Sequence, residues 1–328
     1  MALEVCVAKL RGGNKPSAPV FITDSSLWGI LHLGGMWEFG KRLLWSNAVI
    51  SLGAAACVLG TLHGVAPEEG LQSPHFWFAA GIGAATWLAY TLQRHIKSTR
   101  DGGLRPVHLA WHTRNWPRIR WWALAMLPLG AVPLAMTAEA LWTGEIPVLT
   151  GLDALMMAAI LLSVGITGLY AGMPGQRGMR HALRRLPGMK MVWIGTSWAS
   201  ITALWPAWWM ASSGQLDIDT SLSMFIERFL VIAALTLPFD LRDRNWDQAY
   251  MRTWPQLLGT SGTRILGTAF LLAAAGLRFH LNPNVAMQDW IGLVPMAIAV
   301  GAAREDRPLA YYGLLDALLI LDALLILS

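Results

Sequence analysis

The stretch Leu237–Gly259, LPFDLRDRNWDQAYMRTWPQLLG, closes one apolar run and opens the next. Its three aspartates, Asp240, Asp243 and Asp247, stand at offsets 0, 3 and 7. On a helix those offsets share one stripe. Like charges stacked that way repel by roughly 0.2–0.5 kcal/mol per exposed pair. A divalent cation, neighbouring arginines or plain hydration would each offset the repulsion. Arg242 and Arg244 alternate with the acids, as they would in a solvated, charge-mixed loop. Spacing alone leaves a metal site and a solvated loop both open.

Outward from this stretch the chain is oily. Hydrophobic residues make up 55% and charged residues 14% of its 328 positions, with 18 tryptophans. That is the composition of an all-α integral membrane protein. The net charge of +5 does not mark a nucleic-acid surface, because most Lys and Arg sit in short connections between apolar runs. Nucleic acid is therefore not an expected partner; membrane lipids are. The two cysteines, Cys6 and Cys57, exclude a disulfide framework and supply no metal-ligand spacing. Residues 1–20 lack an apolar core and read as no cleavable signal.

Two segments follow. Residues 1–40 form an N-terminal cytoplasmic and interfacial piece, in which Asp24-Ser25-Ser26 caps a short Trp- and Gly-rich helix over 27–39, too short to span. Residues 41–328 form a polytopic bundle. Nine runs approach the roughly 20 residues that a bilayer requires: 43–64, 75–93, 121–142, 147–170, 188–211, 221–240, 259–279, 288–304 and 309–328. All but Arg228 and Arg278 of the 25 Lys and Arg then fall on one side, while Glu68, Glu69, Glu145, Asp217 and Asp219 fall on the other. The amino terminus is thus expected in the cytoplasm and the carboxyl terminus outside.

Several polar residues inside or beside the spans call for a reading. The repeat LDALLI places Asp316 and Asp322 in the last run, six residues apart and off one another's helix face. Intramembrane acids are functional candidates, or interhelical hydrogen-bonding groups. Glu227 and Arg228 in the sixth run pair with neighbours or snorkel outward. Residues 94–120 read as a long loop interleaving cations with tryptophan, suited to interface anchoring or to an anionic head group. His32, His95, His108, His112, His181 and His280 are expected at surfaces and His63 and His75 at outer span ends, so no haem is expected.

Asp240-xx-Asp243-xxx-Asp247, followed by Arg252-Thr253, Pro255 and Leu257-Leu258-Gly259, resembles the second aspartate-rich motif of the UbiA superfamily of intramembrane prenyltransferases. Nine spans with a cytoplasmic amino terminus are similar to that family, and Leu186-Pro187-Gly188-Met189-Lys190 resembles one of its bacterial branches, which implies the bacterial inner membrane. The resemblance implies a UbiA-like helical bundle whose cytoplasmic mouth binds a prenyl diphosphate through Mg²⁺. The prenyl group would pass to a lipophilic or aromatic acceptor. Asp243 and Asp247 match the catalytic, metal-bearing pair; Asp240 and Arg252 match adjacent substrate-binding positions.

The first motif of the family departs. Where acids are expected after the second span, the chain carries Gln93, Arg94 and Lys97. These cations would repel Mg²⁺, and either pair with the acids of the second motif or hold the diphosphate themselves. The missing acids argue against turnover. They favour an alternative: a catalytically inactive UbiA-like subunit, structural or lipid- and pigment-binding, packed against partner membrane subunits.

Overall fold

A computed structural model describes residues 40, 42–65, 70–99, 104, 106–143, 151–170, 186, 188–210, 218–247, 252–281, 291–307 and 309–328. The side chains of residues 107, 151–156, 218, 246, 247, 309 and 310 fall outside the description. The chain divides into a unit Met1–Lys41 and a unit Arg42–Ser328. The interfacial helix expected over 27–39 lies outside the described residues.

Among the described residues the second unit is helical, without strands. Its helices are α1 Ala48–Val65, α2 Ser73–Ser98, α3 Pro106–Thr143, α4 Gly151–Leu169 and α5 Met189–Ala199. A π-helical turn, Ser200–Leu204, joins α5 to α6, Trp205–Met210. There follow α7 Ile218–Arg242, the short α8 Arg244–Asp247, α9 Trp254–Leu281, α10 Leu293–Gly301 and α11 Leu309–Ile326. With α5, the π turn and α6 counted as one span, every expected run has its helix. Four helical stretches, Ala48–Val65, His108–Thr143, Asp219–Arg242 and Trp254–Leu281, are long and apolar enough to cross a membrane by length and composition.

The elements start and stop where backbone chemistry requires. Asn47 turns the chain at φ 64°, a left-handed conformation that asparagine tolerates, just before α1. Its Nδ2 donates to Thr91 Oγ1 at 3.3 Å, fixing the turn to α2. At the head of α2, the Gln72 backbone N–H donates to His75 Nδ1 at 2.9 Å in a reciprocal cap, with proline in the first turn. Gly188 opens α5 at φ 70°, and Trp254 Nε1 donates to its carbonyl at 3.0 Å. Gly259 breaks the helical path of α9 at φ 66°, and Thr263 Oγ1 donates to its carbonyl at 2.6 Å.

The helices pack as a ring: α3 on α2, α2 on α1, α1 on α11, α11 on α10, α10 on α9, α9 on α7, α7 on α5 and α5 on α4. Small residues permit the close approaches, as membrane helices require. Ser51 Oγ donates to Gly83 O at 2.5 Å between α1 and α2. The Thr202 carbonyl in the π turn accepts from Thr61 Oγ1 at 2.8 Å, tying the turn to α1. A Cβ on Gly81 would lie 2.7 Å from Pro133 Cγ and 3.0 Å from Leu129 O. Gly81→Ala is therefore expected to cost about 1–3 kcal/mol through overpacking of α2 on α3, read as a lower unfolding midpoint in detergent. An unchanged midpoint would mean that the two helices separate freely. The buried interior of the ring is mostly apolar and so is its outside, where Trp142 is 92%, Ile265 71% and Leu272 68% exposed. A water-soluble protein would not present such a surface, whereas lipid chains are its natural cover.

Three expectations change here. The aspartates do not share one helical stripe: α7 ends at Arg242, Asp243 sits in the turn and Asp247 closes the separate α8. The segment read as a loop over 94–120 is largely helical, with α2 running to Ser98 and α3 starting at Pro106. The cations and tryptophans there extend two membrane helices beyond the apolar core, where long side chains reach water from a helical backbone. Third, His112 is not at the surface but 2% exposed, its ring 5.2 Å from that of Trp116.

Candidate functional site

Helix ends with basic residues gather at one end of the ring. The Gly188 backbone N–H donates to Arg252 O at 2.9 Å, joining the start of α5 to the start of α9. Arg244 pairs with Glu305 at 3.0 Å, and Arg264 Nε donates to Ala303 O at 2.8 Å, bringing in the end of α10. Near this end, between α1, α2, α4, α5, α7 and α11, opens a cavity of about 400 Å³, within the range of small-molecule sites (roughly 300–1,000 Å³).

The mouth of the cavity is charged. Arg94 and Lys97 come from the last turns of α2, Lys190 from the first turn of α5, and Asp240, Arg242 and Asp243 from the end of α7. Asp316 lies about two turns inside α11 and lines the same cavity. Deeper residues are mostly apolar or aromatic, Ile201 from the π turn, Trp198 from α5, Ile232 and Leu235 from α7 and Leu319 from α11, with Thr86, Ser197 and Asp316 among them. The Trp198 indole donates to Tyr90 Oη at 3.2 Å on the opposite wall. One hollow thus joins a polar entrance to an oily, aromatic interior.

The acids of the mouth are engaged. Asp240 is 1% exposed, and Lys190 Nζ lies 2.5 Å from its Oδ1. Arg242 grips Asp243 with two parallel bonds, Nε to Oδ1 at 2.8 Å and Nη2 to Oδ2 at 2.9 Å. The same guanidinium lies 4.4 Å from the Tyr312 ring centroid. Across the cavity, Lys97 Nζ stands 5.4 Å from the Tyr170 ring centroid. Arg94 Nη1 donates to the Trp45 carbonyl, and no carboxylate pairs with Arg94 among the described residues.

The structure therefore brings Arg94, Lys97, Asp240 and Asp243 to one cavity, the cations facing the acids. Arg252 does not line it and joins the site only through its backbone carbonyl. Asp247 closes α8, and its side chain is outside the described residues. Sequence reasoning did not single out Lys190 or Arg242 as site residues: Arg242 was read as a neighbour offsetting the aspartates, and Lys190 as a loop charge within a resembling motif. Their signal was position: each lies within one turn of a helix end beside a conspicuous acid or glycine.

These side chains do not fit a pair of Mg²⁺ ions held between two acidic clusters. Among the described residues, no three of His, Cys, Asp and Glu converge. The wall facing Asp240 and Asp243 offers Gln93, Arg94 and Lys97 instead of acids. A Mg²⁺ ion on Asp243 and Asp247 would require Arg242 to release Asp243.

No protein-family model matches the chain, and no curated protein matches it in sequence. A solved structure does match in fold: a UbiA homolog from Archaeoglobus fulgidus bound to GPP and Mg²⁺. The two share 12% identity at a TM-score of 0.52, over 88% of this chain and 99% of that one. The fold is UbiA-like. At 12% identity the likeness carries architecture, and the UbiA-like bundle here holds its own set of mouth residues.

Proposed function

We propose that the cavity receives a prenyl diphosphate, head at the charged mouth and isoprenoid chain against Trp198, Ile201 and Leu235, for transfer to a lipophilic or aromatic acceptor. The observation that carries this reading is the single hollow that is charged at its entrance and oily below. Such a hollow suits an anionic head on an apolar tail and little else. The UbiA homolog bound to GPP supports it by analogy of fold. In transfer, the allylic C–O bond breaks and its electron pair leaves with diphosphate. The acceptor supplies the new pair and loses a proton. Basic groups at the mouth would stabilise the leaving charge, and the mostly apolar depth of the cavity would limit water at the carbocation-like centre. The charge rule for loops favours a cytoplasmic mouth, and the resemblance to a bacterial branch favours the bacterial inner membrane.

A second reading has its own observation. The Lys190–Asp240 and Arg242–Asp243 pairs satisfy the acids of the mouth with no substrate present. A catalytically inactive relative that holds an isoprenoid lipid within a larger membrane assembly would look the same. Diphosphate release separates the two. Purified protein incubated with geranyl, farnesyl or geranylgeranyl diphosphate and a mixed aromatic acceptor pool is expected to release diphosphate. Arg94→Ala and Lys97→Ala should reduce that release by at least about tenfold each (one charge-assisted contact, ~1.4 kcal/mol). Binding without release from any donor supports the inactive subunit. Neither binding nor release removes both readings.

A further inference from the structure

We infer that Asp316 and Tyr90 receive the prenyl acceptor in this cavity and select one that is neutral and carries a hydroxyl group. The inference rests on the reading of the cavity as a prenyl diphosphate chamber and adds the class of acceptor it takes. Asp316, on α11, and Tyr90, on α2, both line the cavity, and both stand below its charged mouth. Asp316 follows Tyr312 by one helical turn, about 6 Å along the axis. Tyr312 is the ring that meets the Arg242 guanidinium at 4.4 Å, so Asp316 lies a turn deeper than that contact. Tyr90 precedes Arg94 by one turn and is deeper in the same sense. Trp198 faces Tyr90 at this depth, about 12 Å along α5 from Lys190.

The other two acids of the cavity are spoken for, Asp240 by Lys190 and Asp243 by Arg242. Asp316 is not: among the described residues, no side chain or backbone group hydrogen-bonds its carboxyl and no cation forms an ion pair with it. Arg242 attracts it through space but directs its two forked bonds to Asp243. A carboxyl without a partner is costly in an apolar span, so one kept in an aromatic hollow is a group left for a ligand. Tyr90 complements it. The Trp198 indole donates to Tyr90 Oη at 3.2 Å, which fixes the phenol and leaves its own proton free to donate. No acceptor takes that proton among the described residues. Asp316 and Tyr90 are near enough to act on one another electrostatically. A hydroxyl both donates and accepts, so it can give a hydrogen bond to Asp316 and receive one from Tyr90. A plain hydrocarbon ring would bury both groups unpaired. A carboxylated ring would set a second acid beside Asp316 in a hollow where like charges are poorly tolerated.

The test is equilibrium binding of three probes of one shape, 2-naphthol, 2-methylnaphthalene and 2-naphthoate, to the purified full chain in detergent near neutral pH, read by calorimetry. Geranyl diphosphate is titrated into the same preparations. The unaltered protein is expected to bind 2-naphthol about tenfold or more tightly than either other probe (one charge-assisted contact). In Asp316→Leu, 2-naphthol should weaken by about tenfold while 2-naphthoate tightens by about threefold or more, as the like charge is removed. Tyr90→Phe should weaken 2-naphthol by about threefold or more and leave 2-methylnaphthalene unchanged (one neutral hydrogen bond). Probes that move in opposite directions are not the mark of a misfolded variant or of a purely structural role. Asp316→Asn keeps the shape without the charge; it should show the same gain for 2-naphthoate and decides the matter if the leucine variant does not fold. An order of probes that both Asp316 variants leave unchanged overturns the assignment, as does 2-naphthoate binding as tightly as 2-naphthol to the unaltered protein. Geranyl diphosphate binding with no binding of any probe removes the acceptor pocket and leaves the chamber in place. The expected order of probes with no binding of geranyl diphosphate removes the chamber and leaves a hydroxyl-selective pocket. Binding of neither removes both.

Discussion

Arg278→Met is expected to destabilise the protein by about 3–5 kcal/mol, the usual cost of stranding one side of a buried ion pair. At the end of the ring opposite the cavity mouth, Arg278 Nε donates to Glu227 Oε1 at 2.7 Å. Its Nη1 and Nη2 donate to the two Asp322 oxygens at 2.8 and 2.6 Å. Arg278 thereby ties α9 to α7 and α11 through acids whose side chains are 7% and 6% exposed. Arg228 lies 3.8 Å from Glu227 and can hold that carboxylate alone. Asp322 has no such second cation among the ion pairs described, so it bears most of the loss. The close fit is built into the backbone: a Cβ on Gly292 would overlap the Asp322 carboxylate. Chemical unfolding in mixed micelles should show the loss in Arg278→Met and a partial return in Arg278→Met/Asp322→Asn, which removes the stranded charge. A loss below about 1 kcal/mol, typical of exposed pairs, would mean that water reaches the cluster.

Lys190→Met should carry the second large effect, about 3 kcal/mol by the same logic. Asp240 is 1% exposed and Lys190 is 14% exposed at its side chain, so water cannot replace the lost ammonium around Asp240. Asp240→Asn in the Lys190→Met background should restore part of the stability. If Lys190 served Asp240 alone, the double variant would also restore ligand binding. If Lys190 also contacts a bound head group, the double variant regains stability yet still binds geranyl diphosphate about tenfold more weakly (one charge-assisted contact). Unfolding curves and binding isotherms on the unaltered protein and these two variants separate the two contributions.

The spans were legible because a bilayer imposes a length threshold that periodicity need not confirm. Helix α7, expected over 221–240, runs Ile218–Arg242, and α11, expected over 309–328, runs Leu309–Ile326. Legibility failed where charge stood in for a loop. Arg114, Trp116 and Arg118 read as a connection but ride on α3, since a helix can leave the apolar core without ending. It failed again at the break after Arg242, where the backbone leaves the helix and removes Asp247 from the stripe of Asp240 and Asp243. The Glu227–Arg278–Asp322 cluster was hidden by distance along the chain, its partners standing 51 and 44 residues from Arg278. Arg94, Lys97, Asp240 and Asp243, which line the cavity, were singled out because the resemblance pointed to both halves of the mouth. Lys190 and Arg242 were not, because basic residues near helix ends have topology as a sufficient reason to be there.

An experimental map of the protein with a non-hydrolysable geranyl thiolodiphosphate, collected without added metal, tests the chamber most directly. The expected density puts both phosphate groups at the charged mouth of the cavity, with the prenyl chain descending past Trp198 toward Leu235. Density for the analogue on the lipid-facing surface, or an empty cavity at saturating analogue, would contradict it.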